Sequence, residues 1–243
     1  MTIQEAIAAR HSVRQYIDKP IEASVVERLN EEIALCNQEG GLHIQLVTNE
    51  PKAFNGSGVF AYGKFKGVSN YLAMVGYKGA DEAIGYYGER LVLLAQTLGL
   101  NSCWVGLTAT VVSPTARLRL KKQPDQYTIA AGEKLHCVIA LGYGATQGVQ
   151  HPMRSMEWFV MVHGSMMWRQ RDVVLPDWFK RGMEAALLAP TAVNQQKFFI
   201  ELVYKHTVHA YARFSLVGYA KMDLGIVKYH FEMAAGKENF TWK

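Results

Sequence analysis

The stretch of this sequence best suited to chemistry is the pentapeptide Arg10-His11-Ser12-Val13-Arg14, close to the N-terminus. It holds two guanidinium groups and a hydroxyl within five residues. Because each guanidinium offers a planar fork of donors, paired arginines can hold several oxygens of one phosphate dianion. The pentapeptide therefore indicates a phosphate site if another segment completes it. Alone, a basic stretch is more typical of a solvated surface.

A short helix must position this pentapeptide. Thr2 can cap its N-terminus, and Glu5 three residues later completes a capping box, while Ile3, Ala6 and Ile7 form an apolar face. The predicted helix covers residues 2–10. The pentapeptide therefore leaves the end of a helix and enters a loop.

The rest of the chain alternates between helical and strand patterns. An irregular Gly- and Lys-rich loop covers residues 50–69. Strands separated by helices, without clear hairpin signals, predict an α+β fold, a mixed α/β sandwich built on one mixed sheet. Further helices are predicted at 24–36, 80–98, 113–120, 153–162, 177–188 and 222–235, and strands at 43–47, 71–76, 135–144, 198–204 and 214–218. Residues 102–107 are predicted as a short segment and turn.

Composition excludes several classes of protein. Of 243 residues, 49% are hydrophobic and 19% charged, with a net charge of +5, which is ordinary for a globular protein and suits an anionic ligand. No dense run of Lys and Arg indicates nucleic-acid binding. Three cysteines without CxxC spacing argue against a disulfide framework and a structural zinc site. No apolar run is long enough to span a membrane, so we expect a cytoplasmic protein.

The sequence contains an internal repeat. Residues 72–77 (LAMVGY) are echoed by residues 214–219 (FSLVGY), and an acidic residue and a long helix follow each. Asn101-Ser102-Cys103-Trp104 is echoed by Asn239-Phe240-Thr241-Trp242. The repeat predicts a first half at 1–150, a linker and crossover segment at 151–175, and a second, truncated half at 176–243.

Two motifs together resemble those of the FMN-dependent nitroreductase family. Residues 10–14 match its Arg-x-Ser-x-Arg pattern, and residues 189–194 (APTAVN) match its later Ala-Pro-Ser-Ala-x-Asn pattern. The segment at 99–106, the strand ending at Leu141-Gly142-Tyr143, and Arg154 match family positions in the same order. The resemblance implies a nitroreductase-like fold and an FMN cofactor. Family members form intertwined dimers, so two related halves in one chain would imitate that dimer, as a monomer able to associate further.

The resemblance also implies roles for particular residues. The pentapeptide would hold the flavin phosphate and pyrimidine edge, with Arg154 as a further phosphate partner. Pro190 would fix a loop against the flavin ring, and the backbone at Val105-Gly106-Leu107 would donate an N–H towards flavin N5. The full set of expected cofactor-binding residues is Arg10, His11, Ser12, Arg14, Tyr62, Lys64, Val105, Gly106, Leu107, Arg154, Pro190, Thr191, Ala192 and Asn194.

The expected activity is transfer of reducing equivalents from NADH or NADPH, through FMN, to a nitroaromatic, a quinone or a similar small acceptor. We expect no catalytic protein side chain, no metal, and no nucleic-acid or membrane partner. Each half has kept the motif that the other lacks, so we expect one flavin site per chain, between the halves. Two alternatives remain open: other flavin chemistry on this fold, such as flavin fragmentation or reductive dehalogenation, and a non-catalytic flavin-binding protein.

Overall fold

The computed structural model describes residues 1–54, 65–107, 126–170 and 173–243. The helix predicted at 113–120 lies outside these ranges. No helix within them is both long and apolar enough to cross a lipid bilayer. The helices are α1 (Ile3–Ala9), α2 (Ala23–Gly40), α3 (Asp81–Thr97), α4 (Asp177–Leu188) and α5 (Ala220–Ala235). The strands are β1 (Gln45–Val47), β2 (Asn70–Tyr77), β3 (Asn101–Gly106), β4 (Glu133–Gly142), β5 (Val160–Val162), β6 (Ser165–Met166), β7 (Phe198–Tyr204), β8 (Thr207–Ala212) and β9 (Thr241–Trp242).

Helix α1 forms as its capping signal predicts. The Thr2 hydroxyl accepts a hydrogen bond from the Glu5 N–H at 3.2 Å, and the Glu5 carboxylate accepts one from the Thr2 N–H at 2.7 Å. Two N–H groups that a helix end would leave unpaired are thereby satisfied. Ala6 and Ile7 are buried, so the helix is anchored on the face that its sequence pattern predicts.

The first sheet has the strand order β1-β2-β4-β3, with every pair antiparallel. Both of its faces are covered. In β2, Leu72 and Met74 pack into one apolar cluster, with α2 and α3, whereas Tyr71, Ala73 and Val75 pack into another. This alternation follows from the two-residue period of a strand, and it explains why β2 reads as a continuous apolar run.

The second sheet has the order β6-β5-β7-β8-β9, in which β5–β7 and β8–β9 are parallel pairs. The described residues therefore form two sheets rather than the one mixed sheet that we predicted. Strands β5 and β6 come from residues 160–166, inside the segment that the sequence analysis assigned to a linker. The mixed helix-and-sheet fold class is confirmed.

Helices α3 and α5 cross in close contact at two glycines. A Cβ atom on Gly85 would lie 1.9 Å from the Met222 carbonyl oxygen, and one on Gly225 would lie 2.0 Å from that of Glu82. The contact is reciprocal, because each glycine faces the residue three positions before the other. Only residues without a side chain allow backbones to approach this closely. At this crossing each helix therefore presents a glycine to the backbone of the other.

The elements on the two sides of this crossing come in the same order. The series α2-β1-β2-α3-β3 is followed by the series α4-β7-β8-α5-β9. The counterpart of β2 in this order is β8 and not residues 214–218, so the predicted strand there is wrong. Phe214 and Leu216 are 82% and 92% exposed, and Gly218 and Tyr219 have positive φ angles. A two-residue turn after β7 places β8 earlier than the sequence echo suggested.

The helix predicted at 153–162 is also wrong. Residues 156–158 form one turn of 3₁₀-helix, and Val160 to Val162 then form β5. Val160 lies opposite Ile200 in the parallel pairing with β7. Because β-branched residues pack well on a pleated surface, tertiary pairing outweighs the apolar pattern that resembled a helix.

Candidate functional site

Arg10 ends helix α1 and points its side chain into the core. Its N–H caps the helix on the Ala6 carbonyl at 2.9 Å, its side chain is buried, and its Nε lies 3.7 Å from Oε1 of Glu89. Within the described part of the chain, Nε and Nη1 have no hydrogen-bond partner. A buried donor without a partner costs free energy. This guanidinium therefore fits an additional oxygen ligand such as a phosphate.

Glu89 on α3 is fully buried and connects several elements. Its carboxylate lies 2.8 Å from Nε2 of His230 on α5 and accepts a hydrogen bond of 2.8 Å from the indole N–H of Trp104 on β3. With Arg10, this group forms a cluster that we call the Glu89 cluster: Arg10, Glu89, Trp104 and His230. The cluster fixes α1, α3, β3 and α5 against one another around one charged centre.

The rest of the pentapeptide runs beside β3. Ser12 lies opposite Ser102, and the Val13 N–H donates to the Ser102 carbonyl at 3.0 Å. The Arg14 carbonyl accepts from the Lys66 N–H at 2.9 Å, while the Arg14 side chain is exposed. The two arginines of the motif therefore differ: Arg10 lies in the core and Arg14 is open to solvent.

The segment after β4 brings residues 144–152 against the pentapeptide. Gly148 has a φ of +72°, and a Cβ atom there would lie 2.8 Å from Cβ of His11. The Nε2–H group of His151 donates a hydrogen bond to the Leu187 carbonyl, 3.1 Å away. Burial lowers the pKa of His151, and the nearby charges of Arg10 and His11 lower it further. The segment that leads to His151 therefore meets the first motif where Gly148 lies against His11.

The loop that contains the second motif, residues 189–194, is hydrogen-bonded to Pro152, the residue after His151. The Asn194 side-chain amide donates to the Pro152 carbonyl at 3.0 Å, and the Gln196 amide donates to the same oxygen at 2.9 Å. The Gln196 side-chain oxygen lies 3.4 Å from the Arg154 N–H. Val193, Asn194 and Gln196 all have positive φ angles. Backbone strain of this kind, in residues other than glycine, is concentrated at ligand sites. Here the positive φ angles accompany the folding of the loop around Pro152.

Asp223, in the first turn of α5, holds the same loop from the other side. Its buried carboxylate accepts hydrogen bonds from the Ala192 N–H at 3.0 Å and from the Gln195 side-chain amide at 2.6 Å. Burial raises the pKa of Asp223 to about 7, against the opposite effect of these two hydrogen bonds. Pro190 is buried, and the Thr191 hydroxyl accepts from the Gln196 N–H at 3.1 Å.

Tyr219 connects this loop region to the end of β3. Its hydroxyl accepts a hydrogen bond from the Leu107 N–H at 2.5 Å, and its ring lies against Gly106. The Gln195 amide also donates to the Gly218 carbonyl at 3.0 Å. One N–H of the segment 105–107, which the family resemblance places towards flavin N5, is therefore paired with Tyr219.

These contacts form a continuous series that we call the motif belt. It runs from His11 through Gly148 and the residues that follow it to Pro152 and Asn194, and then through Ala192, Asp223 and Tyr219 to Leu107. The structure thus connects the segments that hold Arg10, His11, Ser12, Arg14, Val105, Gly106, Leu107, Arg154, Pro190, Thr191, Ala192 and Asn194. Tyr62 and Lys64, the other two predicted residues, lie outside the described residues.

Sequence reasoning did not assign Glu89, Asp223, Tyr219 or Gln196 to the site. One usable signal was Glu89, a carboxylate among the apolar residues of α3. The internal repeat drew attention to Asp223, because an acidic residue follows each repeated segment, but it did not indicate what Asp223 does. The contacts of Tyr219 and Gln196 depend on loop conformation, which sequence spacing does not predict.

The raised pKa of Asp223 predicts a pH-dependent stability. Between about pH 4 and pH 7 the folded protein binds a proton at Asp223 that the unfolded chain has released. The free energy of unfolding therefore falls as pH rises through this window. Relative to Asp223→Asn, the wild type should lose no more than about 4 kcal/mol between pH 4 and pH 8.

Urea unfolding of both proteins across this pH range measures the difference, and subtraction removes the contribution of other titrating groups. Asp177→Asn is the matched control, because the Asp177 side chain is 89% exposed. Its pH profile should follow the wild type. Parallel profiles for the wild type and Asp223→Asn would contradict the prediction.

A separate cleft of about 590 Å³ lies between α2 and the loop after β1. Its lining includes none of the predicted cofactor-binding residues that the structure describes. The motif belt and this cleft are therefore different places on the molecule. The cleft is lined by Ile21, Ala23, Val26, Glu27, Asn30, Glu31, Thr48, Asn49 and Asn70.

Comparison with known proteins gives matches over nearly the whole chain. The sequence model of a family described as "Putative TM nitroreductase" matches residues 2–235. The structure is similar to that of a protein from Thermotoga maritima described as a putative nitroreductase. The TM-score is 0.61 at 21% identity, over 98% of this chain and 85% of that one.

A second similar structure is described as a putative nitroreductase in complex with FMN, from Desulfovibrio desulfuricans. Its TM-score is 0.50 at 16% identity, over 72% of this chain and 99% of that one. At these identities the similarity concerns the fold. No functionally curated protein matches the sequence significantly.

Proposed function

This chain belongs to the nitroreductase family whose sequence model matches residues 2–235, and we propose that it is an FMN-dependent oxidoreductase. In this proposal it uses NADH or NADPH to reduce a nitroaromatic, a quinone or a similar small acceptor. The similar Desulfovibrio protein, whose structure is described as a complex with FMN, supports the choice of cofactor.

The observation that carries the proposal is the motif belt. The two motifs that it joins lie far apart in sequence, but residues 148–152 connect them: Gly148 lies against His11, and Asn194 donates a hydrogen bond to the Pro152 carbonyl. Arg10 adds a buried guanidinium whose Nε and Nη1 lack hydrogen-bond partners among the described residues. A phosphate would supply acceptors that match this need.

The residues of the belt bind and orient, and FMN, when bound, supplies the hydride and electron transfer. Arg10 would hold the phosphate from the core side and Arg14 from the solvent side. Asp223 and Pro152 keep the loop at 190–196 in its strained conformation. This division of roles needs no nucleophilic side chain.

We further propose that the chain is a monomer whose two related halves imitate the family dimer. The reciprocal contact at Gly85 and Gly225 and the repeated order of elements around it support this arrangement. The Arg-x-Ser-x-Arg pattern at 10–14 and the Pro-Thr-x-x-Asn pattern at 190–194 each occur once. One flavin per chain is therefore expected.

The direct test is the absorption spectrum of the purified or reconstituted protein, with light scattering to measure its mass. We expect flavin bands at about one FMN per chain, and oxidation of NADH or NADPH when a quinone is added. Two FMN per chain would contradict the single site. Protein that retains no flavin after reconstitution would refute the proposal.

The same assay separates the alternative functions. Stoichiometric FMN without turnover, with either nicotinamide and any acceptor, would indicate a flavin-binding protein without catalysis. Loss of flavin absorbance during turnover would indicate chemistry in which the flavin itself is consumed.

Arg14→Ala should weaken FMN binding by about 10- to 100-fold, the range expected for one charge-assisted hydrogen bond to phosphate. Because the Arg14 side chain is exposed, the free energy of unfolding should change little. Fluorescence titration of FMN measures the affinity. The control is Arg181→Ala, which removes another exposed arginine, on α4, and should leave the FMN affinity unchanged. An unchanged FMN affinity in Arg14→Ala would show that Arg14 is not part of the site.

A further inference from the structure

Tyr219 is hydrogen-bonded to a backbone N–H of the segment 105–107, which the proposed function places towards the flavin. Its hydroxyl accepts the Leu107 N–H at 2.5 Å, and its ring atoms lie about 3.0–3.1 Å from where a Cβ of Gly106 would be. The tyrosine thus covers the end of β3 by one hydrogen bond and one ring contact.

The conformation of Tyr219 shows that this position is held by several contacts. Its φ of +63° lies in the left-handed region, which is unfavourable for a residue with a side chain. The neighbouring Gly218 carbonyl accepts from Gln195, and the Tyr219 carbonyl accepts from the Asp223 N–H at 2.8 Å. Strain of this kind persists only where surrounding contacts impose it. The same contacts connect Tyr219 to the loop at 190–196.

We propose that the Tyr219 hydroxyl competes with the flavin for the Leu107 N–H, so that Tyr219 limits flavin affinity and must turn away when the cofactor binds. The inference rests on the proposed function, because it takes the N–H at Leu107 as a flavin contact. One N–H forms one strong, nearly linear hydrogen bond. Two acceptors therefore cannot both be bound well.

The test compares Tyr219→Phe with the wild type in the flavin-free protein and in FMN titrations. Phenylalanine keeps the ring against Gly106 and removes the hydroxyl that accepts the Leu107 N–H. We expect the Kd for FMN to fall by about 3- to 10-fold, the ratio that corresponds to one ordinary hydrogen bond. Hydrogen exchange at the Leu107 amide should be faster in the flavin-free variant than in the flavin-free wild type. Saturation with FMN should slow it in both.

Tyr204→Phe is the matched control, because Tyr204 is 60% exposed at the end of β7. It should change neither the Kd nor the exchange at Leu107. An unchanged or higher Kd in Tyr219→Phe, in a protein that binds FMN, overturns the competition and leaves the proposed function intact. Failure of the wild type and of both variants to bind FMN overturns the proposed function, and the competition with it.

Discussion

Replacing Glu89 with alanine is expected to lower the free energy of unfolding by about 3–5 kcal/mol, the range for breaking a buried ion pair. The Glu89 carboxylate is the buried partner of Arg10, His230 and Trp104. Without it, the Arg10 guanidinium would remain in the core with no opposite charge paired to it among the residues that the structure describes. Chemical denaturation of Glu89→Ala and the wild type measures the loss.

The control for Glu89→Ala is Glu31→Ala, because Glu31 is paired with Arg28 at an exposed position on α2. Removing such a surface pair should cost less than about 1 kcal/mol. A double variant, Arg10→Met with Glu89→Leu, separates charge from packing. It should be more stable than Glu89→Ala, since it leaves no unpaired buried charge. Equal losses in Glu89→Ala and Glu31→Ala would show that the Glu89 cluster does not stabilise the fold.

Adding a methyl group at the helix crossing should have a similarly large effect. Gly85→Ala and Gly225→Ala are each expected to destabilise the protein by about 3 kcal/mol or more, because the new Cβ would overlap a backbone oxygen. In an ordinary helix interior the same change stabilises by roughly 1 kcal/mol. The sign of the effect therefore tests the close approach of α3 and α5.

The two glycine variants should not be additive. Once one Cβ has forced α3 and α5 apart, the second finds part of the space already open. The double variant should therefore lose at least about 1 kcal/mol less than the two single losses combined. Denaturant unfolding of the wild type, the two single variants and the double variant measures this double-mutant cycle. Additive losses, or stabilisation by either single change, would contradict the reciprocal crossing.

The sequence alone was sufficient to predict those elements for which the local sequence signals and the burial of side chains agree. The capping box at Thr2 and Glu5 places α1, and the run at 198–204 coincides with β7. The family was identified from two motifs, and its identification is confirmed by the match over residues 2–235. The capping box and the strand pattern depend on residues that are close together in the sequence, and the motifs depend on residue types at fixed spacings. Both kinds of signal can be read without the structure.

Tertiary structure decided which parts of the chain meet. Residues 214–218 resemble a strand in sequence but lie in an exposed loop, because β8 already pairs with β7. Residues 160–162 form a strand because β7 offers them a partner. Pairing depends on neighbours distant in sequence, and no local pattern contains that information.

The candidate site divides in the same way. The two sequence motifs picked out two segments of the motif belt, Arg10 to Arg14 and Pro190 to Asn194, as candidate cofactor-binding segments. They did not show that Arg10 would lie in the core against Glu89, or that Tyr219 would occupy the Leu107 N–H. Residue types determine which ligand a segment can bind. The direction of each side chain and the partner it meets follow from the packing of α3 against α5 and of the loops around them.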